Sequence, residues 1–281
     1  MTTAHAPAPG QREVAHGPVG ARPAPTPPAV AGRFLLADLR RTAMMWENIA
    51  FVMLLPAVMY LMFGTQGEAA SMNAGYGNVA AYVMISMAVY GSAMATTSVA
   101  GTTAYEHSSG WGRQLALTAL STPAYFLVKS AVAVIVALLP IALLFAVGAA
   151  TGAELDSAGR WAAAFGMTLL VALPFSLYGL AATLLLRTEA ASGIASGLLV
   201  VLAFFGNLFM PLSGTMLDIA RWTPMYGAAT LARWPIAEGG SVTSGGELFQ
   251  EELWVAVVNI AVWTVVFAAL CLLGSRRRTR R

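Results

Sequence analysis

The sequence predicts an all-α polytopic membrane protein with six transmembrane helices, and three observations carry that prediction. Of 281 residues, 58% are hydrophobic and only 10% charged, against roughly 25% charged in a typical soluble domain. No soluble fold could bury so much apolar surface. Several segments run about 20 residues without a charge, the length that crosses a hydrocarbon layer of roughly 30 Å. The basic residues also fall almost entirely on one side of those segments.

Residues 1–32 are rich in Pro, Ala and Gly and have no apolar run, which predicts a disordered cytoplasmic tail. They lack the apolar centre of a signal peptide, so no cleavage is expected. Over 33–47, Leu35, Leu39, Ala43 and Trp46 cluster on one side of a helix and Arg33, Arg40 and Glu47 on another. That pattern fits an amphipathic helix lying at the membrane interface; the alternative is an inward extension of the first span. The first span covers 49–63, starting near Met44 because the apolar run alone is short, and Pro56 marks a candidate kink.

The second span is 78–100, with Met84, Met87 and Met94 read as adaptable packing rather than ligands. The third is 125–150, containing Pro140, and Lys129 near its start is expected to snorkel back to the headgroups. The fourth is 161–186 with Pro174, the fifth 193–211 and the sixth 253–274, followed by a basic tail over 275–281. Between the second and third spans, 105–129 is the one long polar interruption on its side. Within it Trp111, Leu115 and Ala119 recur at four-residue spacing, which puts an apolar face on a short helix lying on the membrane surface. Thr122-Pro123 then reads as the cap and first position of the next helix.

Six spans place both ends on the same side. With the N-terminus inside, the inner segments hold Arg12, Arg22, Arg33, Arg40, Arg41, Arg113, Lys129, Arg187 and the five arginines of 276–281, while the outer ones hold Arg160, Arg221 and Arg233. This asymmetry predicts a cell-membrane protein with both termini cytoplasmic. The net charge of +3 is too small and too unevenly placed to suggest nucleic acid. A single cysteine, Cys271, excludes a disulfide framework and a thiolate metal site.

The missing chemistry narrows the function. Lys129 is the only lysine, and Val128 stands where a P-loop needs glycine, so ATP hydrolysis by that route is not expected. His5, His16 and His107 lie outside the spans, leaving Ser213-Gly214, read as a loop start, without a base. The apolar cores of the spans hold no Asp, Glu, Arg or His, hence no visible coupling to a proton gradient. Asn207, Asn259 and Thr96-Thr97-Ser98 read as interhelical hydrogen-bond partners. Ser192, Gly193, Ser196 and Gly197 form small-x-x-x-small pairs that permit close helix approach, within the chain or between copies. No catalytic residue, cofactor or metal site is expected in this chain. If it moves something, the energy comes from a partner.

Glu106, Gly110, Leu115, Leu117, Leu120, Thr122, Pro123 and Lys129 on the inner loop follow a pattern that resembles the membrane subunits of type-2 ABC exporters. Permeases for drugs, antibiotics, polysaccharides and lipids belong to that family. The loop over 210–233, with Pro211, a short helix at 217–222, Pro224, Tyr226 and Arg233, is similar to the family's outer loop. The resemblance covers 33–281. It implies that 111–120 is a coupling helix fitting a separate P-loop ATPase subunit, which holds the ATP and Mg. Glu106, Gly110, Trp111, Arg113, Leu115, Leu117 and Leu120 would face that partner. It further implies that 210–233 forms extracellular re-entrant helices carrying Pro211, Trp222, Pro224 and Tyr226, with Trp222, Tyr226 and Trp234 at interfacial depth, and that the chain pairs with itself or a second permease. The function expected is export of an amphipathic or apolar compound; the alternative is a membrane scaffold or sensor partner that docks a cytoplasmic protein without transport.

Overall fold

The computed structural model describes residues 27–44, 46–106, 122–186, 188 and 190–279. Among these, nine α-helices follow in order: α1 (Pro27–Met44), α2 (Trp46–Phe63), α3 (Val79–Glu106), α4 (Thr122–Ala150), α5 (Ala158–Leu186), α6 (Ala191–Phe205), α7 (Gly214–Ala220), α8 (Pro224–Ala237) and α9 (Leu253–Thr279). A short 3₁₀ turn, Glu68–Ser71, precedes α3. Strands β1 (Gly240–Val242) and β2 (Leu248–Gln250) form an antiparallel hairpin between α8 and α9.

Four helices are long and apolar enough to cross a membrane, over Val79–Gly101, Leu127–Ala150, Ala158–Leu186 and Leu253–Ser275. Two apolar stretches are shorter, Val52–Phe63 and Ala191–Phe205. α3 is the central helix: 78% of its apolar window is buried, against 11% for α9. The reason is composition. α3 offers small residues such as Ala80, Ala81, Ala88 and Ala93, all essentially buried, so α2, α4, α5 and α6 approach it closely. α9 instead turns Trp254, Val258, Val262, Val265 and Leu272 outward, a surface suited to lipid and untenable in water. Met84, Met87 and Met94 belong to the core, as their packing role predicts.

Gly179 of α5 lets two helix backbones approach closely. A Cβ there would stand 2.4 Å from the carbonyl oxygen of Thr97 on α3, whose hydroxyl donates to the carbonyl of Phe175 at 3.2 Å. Gly179→Val should therefore destabilise the bundle by about 3 kcal/mol, the upper part of the overpacking range, read as a fall in the thermal midpoint in detergent. An unchanged midpoint would mean that α3 and α5 separate easily.

Four expectations are corrected. α1 begins at Pro27, inside the stretch read as tail, because paired prolines suit a helix's first turn. Lys129 does not snorkel. It is 4% exposed and donates to Asp38 of α1 at 2.6 Å, because α1 lies across the start of α4 with Phe34, Leu35 and Leu39 on Val128, Val132 and Val136. The fifth apolar helix stops at Phe205 rather than Pro211: Gly206 ends it and Asn207 takes the left-handed conformation, φ 57°, with its side-chain oxygen accepting from Leu212 N at 2.9 Å. At 15 residues, about 22 Å, α6 is shorter than the hydrocarbon layer. Ser213 is not a loop start but the N-cap position of α7, which covers Gly214–Ala220 rather than 217–222.

Candidate functional site

The two ends of the bundle carry different chemistry. One end, called proximal here, gathers α1, the last turn of α3 and the first of α4. Lys129 and Asp38 are both about 95% buried there, and Lys129 also sits 5.9 Å from the Phe34 ring. Asp38 Oδ2 is buried with no described partner. Of the expected ATPase contacts, Gly110, Trp111, Arg113, Leu115, Leu117 and Leu120 lie outside the described residues; Glu106 is the last residue of α3. Gly193 and Gly197 of α6 have no neighbour at their open Cβ positions, whereas Ser192 packs against Gly101 of α3. The small-residue pattern thus has one side used within the chain and one side open.

At the distal end the loops interlock. Gly77 bridges to Leu155, Tyr76 N donates to the Ile236 carbonyl at 2.7 Å, and Asn78 donates to the Gly152 carbonyl at 2.8 Å. Arg160 reaches over from the start of α5 to donate to the Pro235 carbonyl, with its guanidinium 3.4 Å above the Tyr76 ring. α7 and α8 form a helical pair because Thr223 caps α8, its Oγ1 accepting from Tyr226 N, with Pro224 at the first position. Asn259 of α9 donates to the carbonyls of Arg221 and Thr223 at 2.8 and 3.1 Å, and Trp263 donates to that of Trp222 at 2.9 Å. Asn259 is thus the interhelical partner it was expected to be. The polar side chains of α9 fasten the turn between α7 and α8.

Of the expected outer-loop residues, Pro211 and Trp222 are exposed while Pro224 and Tyr226 are buried. Tyr226 turns into the protein, where its hydroxyl donates to Glu251, which also accepts from Arg221 Nε at 3.0 Å. Burial first, and Glu251 second, push the Tyr226 phenol far above its ordinary range. It stays protonated and remains the donor. Nothing in the sequence distinguished Glu251 from Glu252 beside it.

Arg233 is 4% exposed. Its Nε donates to the Ala229 carbonyl at 3.1 Å, and its Nη1 to the Tyr82 hydroxyl at 2.7 Å and the Asn207 carbonyl at 3.2 Å. Tyr82 in turn shares a hydrogen bond with Ser241 of the hairpin at 3.0 Å. Beside this group lies a cavity of about 770 Å³, bounded by α3, the segment after α6 and the hairpin. That volume is within the range of roughly 300–1,000 Å³ common for small-molecule sites.

Residues 64–274, well over half of the chain, match the family described as ABC-2 family transporter protein. The chain belongs to that family. The permease is also similar to YvfS of Bacillus subtilis (strain 168), whose name gives it as a candidate transport permease: 30% identity over 169 residues, 58% of this chain and 68% of that protein. The family match begins just after α2 and includes all four long helices and the distal loops. Permeases of this family are membrane subunits rather than enzymes, and they typically work with an ATPase partner.

Proposed function

We propose that this chain is the permease half of an ATP-driven exporter that moves an amphipathic or apolar compound out of the cell. A separate P-loop ATPase, holding ATP and Mg, docks on the segment 111–120. α2 and α6 complete six crossings, the proximal end is cytoplasmic, and the permease works as a dimer through the open Gly193 and Gly197 side of α6 or an equivalent face of a second permease. The residues facing the ATPase are Glu106, Gly110, Trp111, Arg113, Leu115, Leu117 and Leu120. The distal helix pair α7–α8 is re-entrant and extracellular.

One observation supports this most. The segment 107–121 joins α3, the most buried long helix, to α4, whose second turn is tied to the surface helix α1 through Lys129 and Asp38. A push on that segment would reach the bundle's centre and its surface helix together. The side distribution of basic residues supports the orientation, and uncharged span cores suit a cargo without charge along most of its length.

The test is ATP-driven transport in vesicles holding the permease and its ATPase. Leu117→Pro, which breaks the surface helix, and Arg113→Glu, which reverses its charge, should each abolish export while the amount of permease in the membrane is unchanged. Export at the parent rate in both variants would overturn the coupling role.

A further inference from the structure

Arg233 is, among the described residues, a buried charge without a counter-ion. Among the described residues no carboxylate lies within salt-bridge distance of it, and the ion pairs nearby belong to Arg221 and Arg160. Glu251, the acid in the same small recess, is already committed to Arg221 and Tyr226. Arg233 uses Nε and Nη1, and its Nη2 donates to none of the described residues. A guanidinium held out of water this way strongly favours an anion beside it.

The recess opens beside the 770 Å³ cavity, and both are lined by Tyr82, Asn207, Ser241 and Phe249. Among the described residues no Asp, Glu, Lys or Arg lines the cavity itself. Val79, Val83, Phe209, Met210, Leu248 and Phe249 give it apolar walls, and Tyr82, Asn207 and Ser241, which also line the arginine's recess, supply polar atoms. Apolar walls therefore meet a polar patch, where the Tyr82 hydroxyl takes a hydrogen bond from Arg233.

The geometry points to a binding site for an anionic amphiphile, with a carboxylate or phosphate head at the cavity-lining hydroxyls of Tyr82 and Ser241, which Arg233 polarises from the recess behind them, and an apolar chain along Val79, Val83 and Phe249. A cationic amphiphile of the same length meets the wrong charge. The inference rests on the chemistry of the cavity and not on export, since binding is measured without an ATPase. The head could be that of a bilayer lipid or of a compound from solution; the chemistry is shared.

The experiment uses the full chain with Cys271→Ser and Val242→Cys, Val242 being a partly exposed cavity residue, and follows maleimide modification of the new thiol. Dodecyl phosphate should slow modification saturably in neutral detergent, and dodecyltrimethylammonium at the same concentration should not. Arg233→Gln should weaken the apparent affinity about threefold to fivefold, less than the loss of a direct charge-assisted contact, because the arginine acts through the Tyr82 hydroxyl. Val83→Trp, which narrows the apolar wall beside Tyr82 and leaves Arg233 in place, should strongly weaken protection, so the inference remains testable if the arginine variant fails to fold. Protection in phosphatidylglycerol nanodiscs but not phosphatidylcholine ones, without added amphiphile, would identify a bilayer lipid as the source; protection by dodecyl phosphate alone would identify a soluble compound. Equal protection by both amphiphiles, or protection unchanged in Val83→Trp, would overturn the site.

Discussion

Lys129→Met should destabilise the permease by about 3–5 kcal/mol, because it leaves the Asp38 carboxylate buried without its cation. Each member of this pair is about 95% buried, with Nζ and Oδ1 2.6 Å apart. Asp38 has little to fall back on, its Oδ2 having no described partner. A charge so placed must either neutralise or drag its helix into water, and the second route undocks α1 from α4. Replacing both residues, Asp38→Leu with Lys129→Met, should recover most of the loss, since an apolar pair of similar size usually replaces a buried ion pair at little cost. Thermal unfolding of the parent, both single variants and the double variant gives the coupling energy. A loss below about 1 kcal/mol in Lys129→Met, the range of solvated pairs, would mean that α1 is not docked as described.

The second large effect is expected at the distal end. Glu251→Leu removes the common acceptor of Arg221 and Tyr226, leaving a buried phenol unsatisfied and a partly exposed guanidinium without this partner. Arg221 is 38% exposed and can turn to water or to Asp218, so most of the loss falls on Tyr226. We expect about 2–3 kcal/mol, the penalty of one stranded buried donor plus a weakened ion pair. Glu251→Gln keeps an acceptor and should lose less than half of that. Limited proteolysis within 214–222 reads the same event locally, since a loosened α7–α8 pair exposes that turn. Equal midpoints and equal cleavage in parent and Glu251→Leu would show that Asn259 and Trp263 hold the pair by themselves.

Much of this arrangement is legible in the sequence because the bilayer imposes it. Uncharged runs locate the four long helices, and a Thr-Pro pair marks the start of α4 to within two residues. The packing role of the methionines and of Asn259 follows from residue type in apolar surroundings. What was missed depends on pairing across the chain. Asp38 lies one turn from Phe34 and Leu35 and one from Thr42, on the apolar side of α1, and Lys129 is the only lysine. Together these could have suggested a buried pair; separately they read as surface charge. The end of α6 turns on Asn207 accepting left-handed backbone, which a Gly-Asn pair permits without requiring. The partner of Tyr226 was not legible, because the fold brings Glu251 to it from 25 residues away. The cavity next to Arg233 has no local signature, since α3, the segment after α6 and the hairpin meet only in three dimensions.

The proposal that a separate ATPase drives this permease is tested most directly by purifying the tagged chain from its native membrane in mild detergent, identifying its partners and measuring ATP hydrolysis. We expect a P-loop protein to accompany the chain, with ATPase activity in the complex, and both to be lost when residues 111–120 are deleted while the permease itself remains folded. A folded permease that brings no ATPase under several mild detergents, or one whose ATPase stays bound after that deletion, would contradict the account.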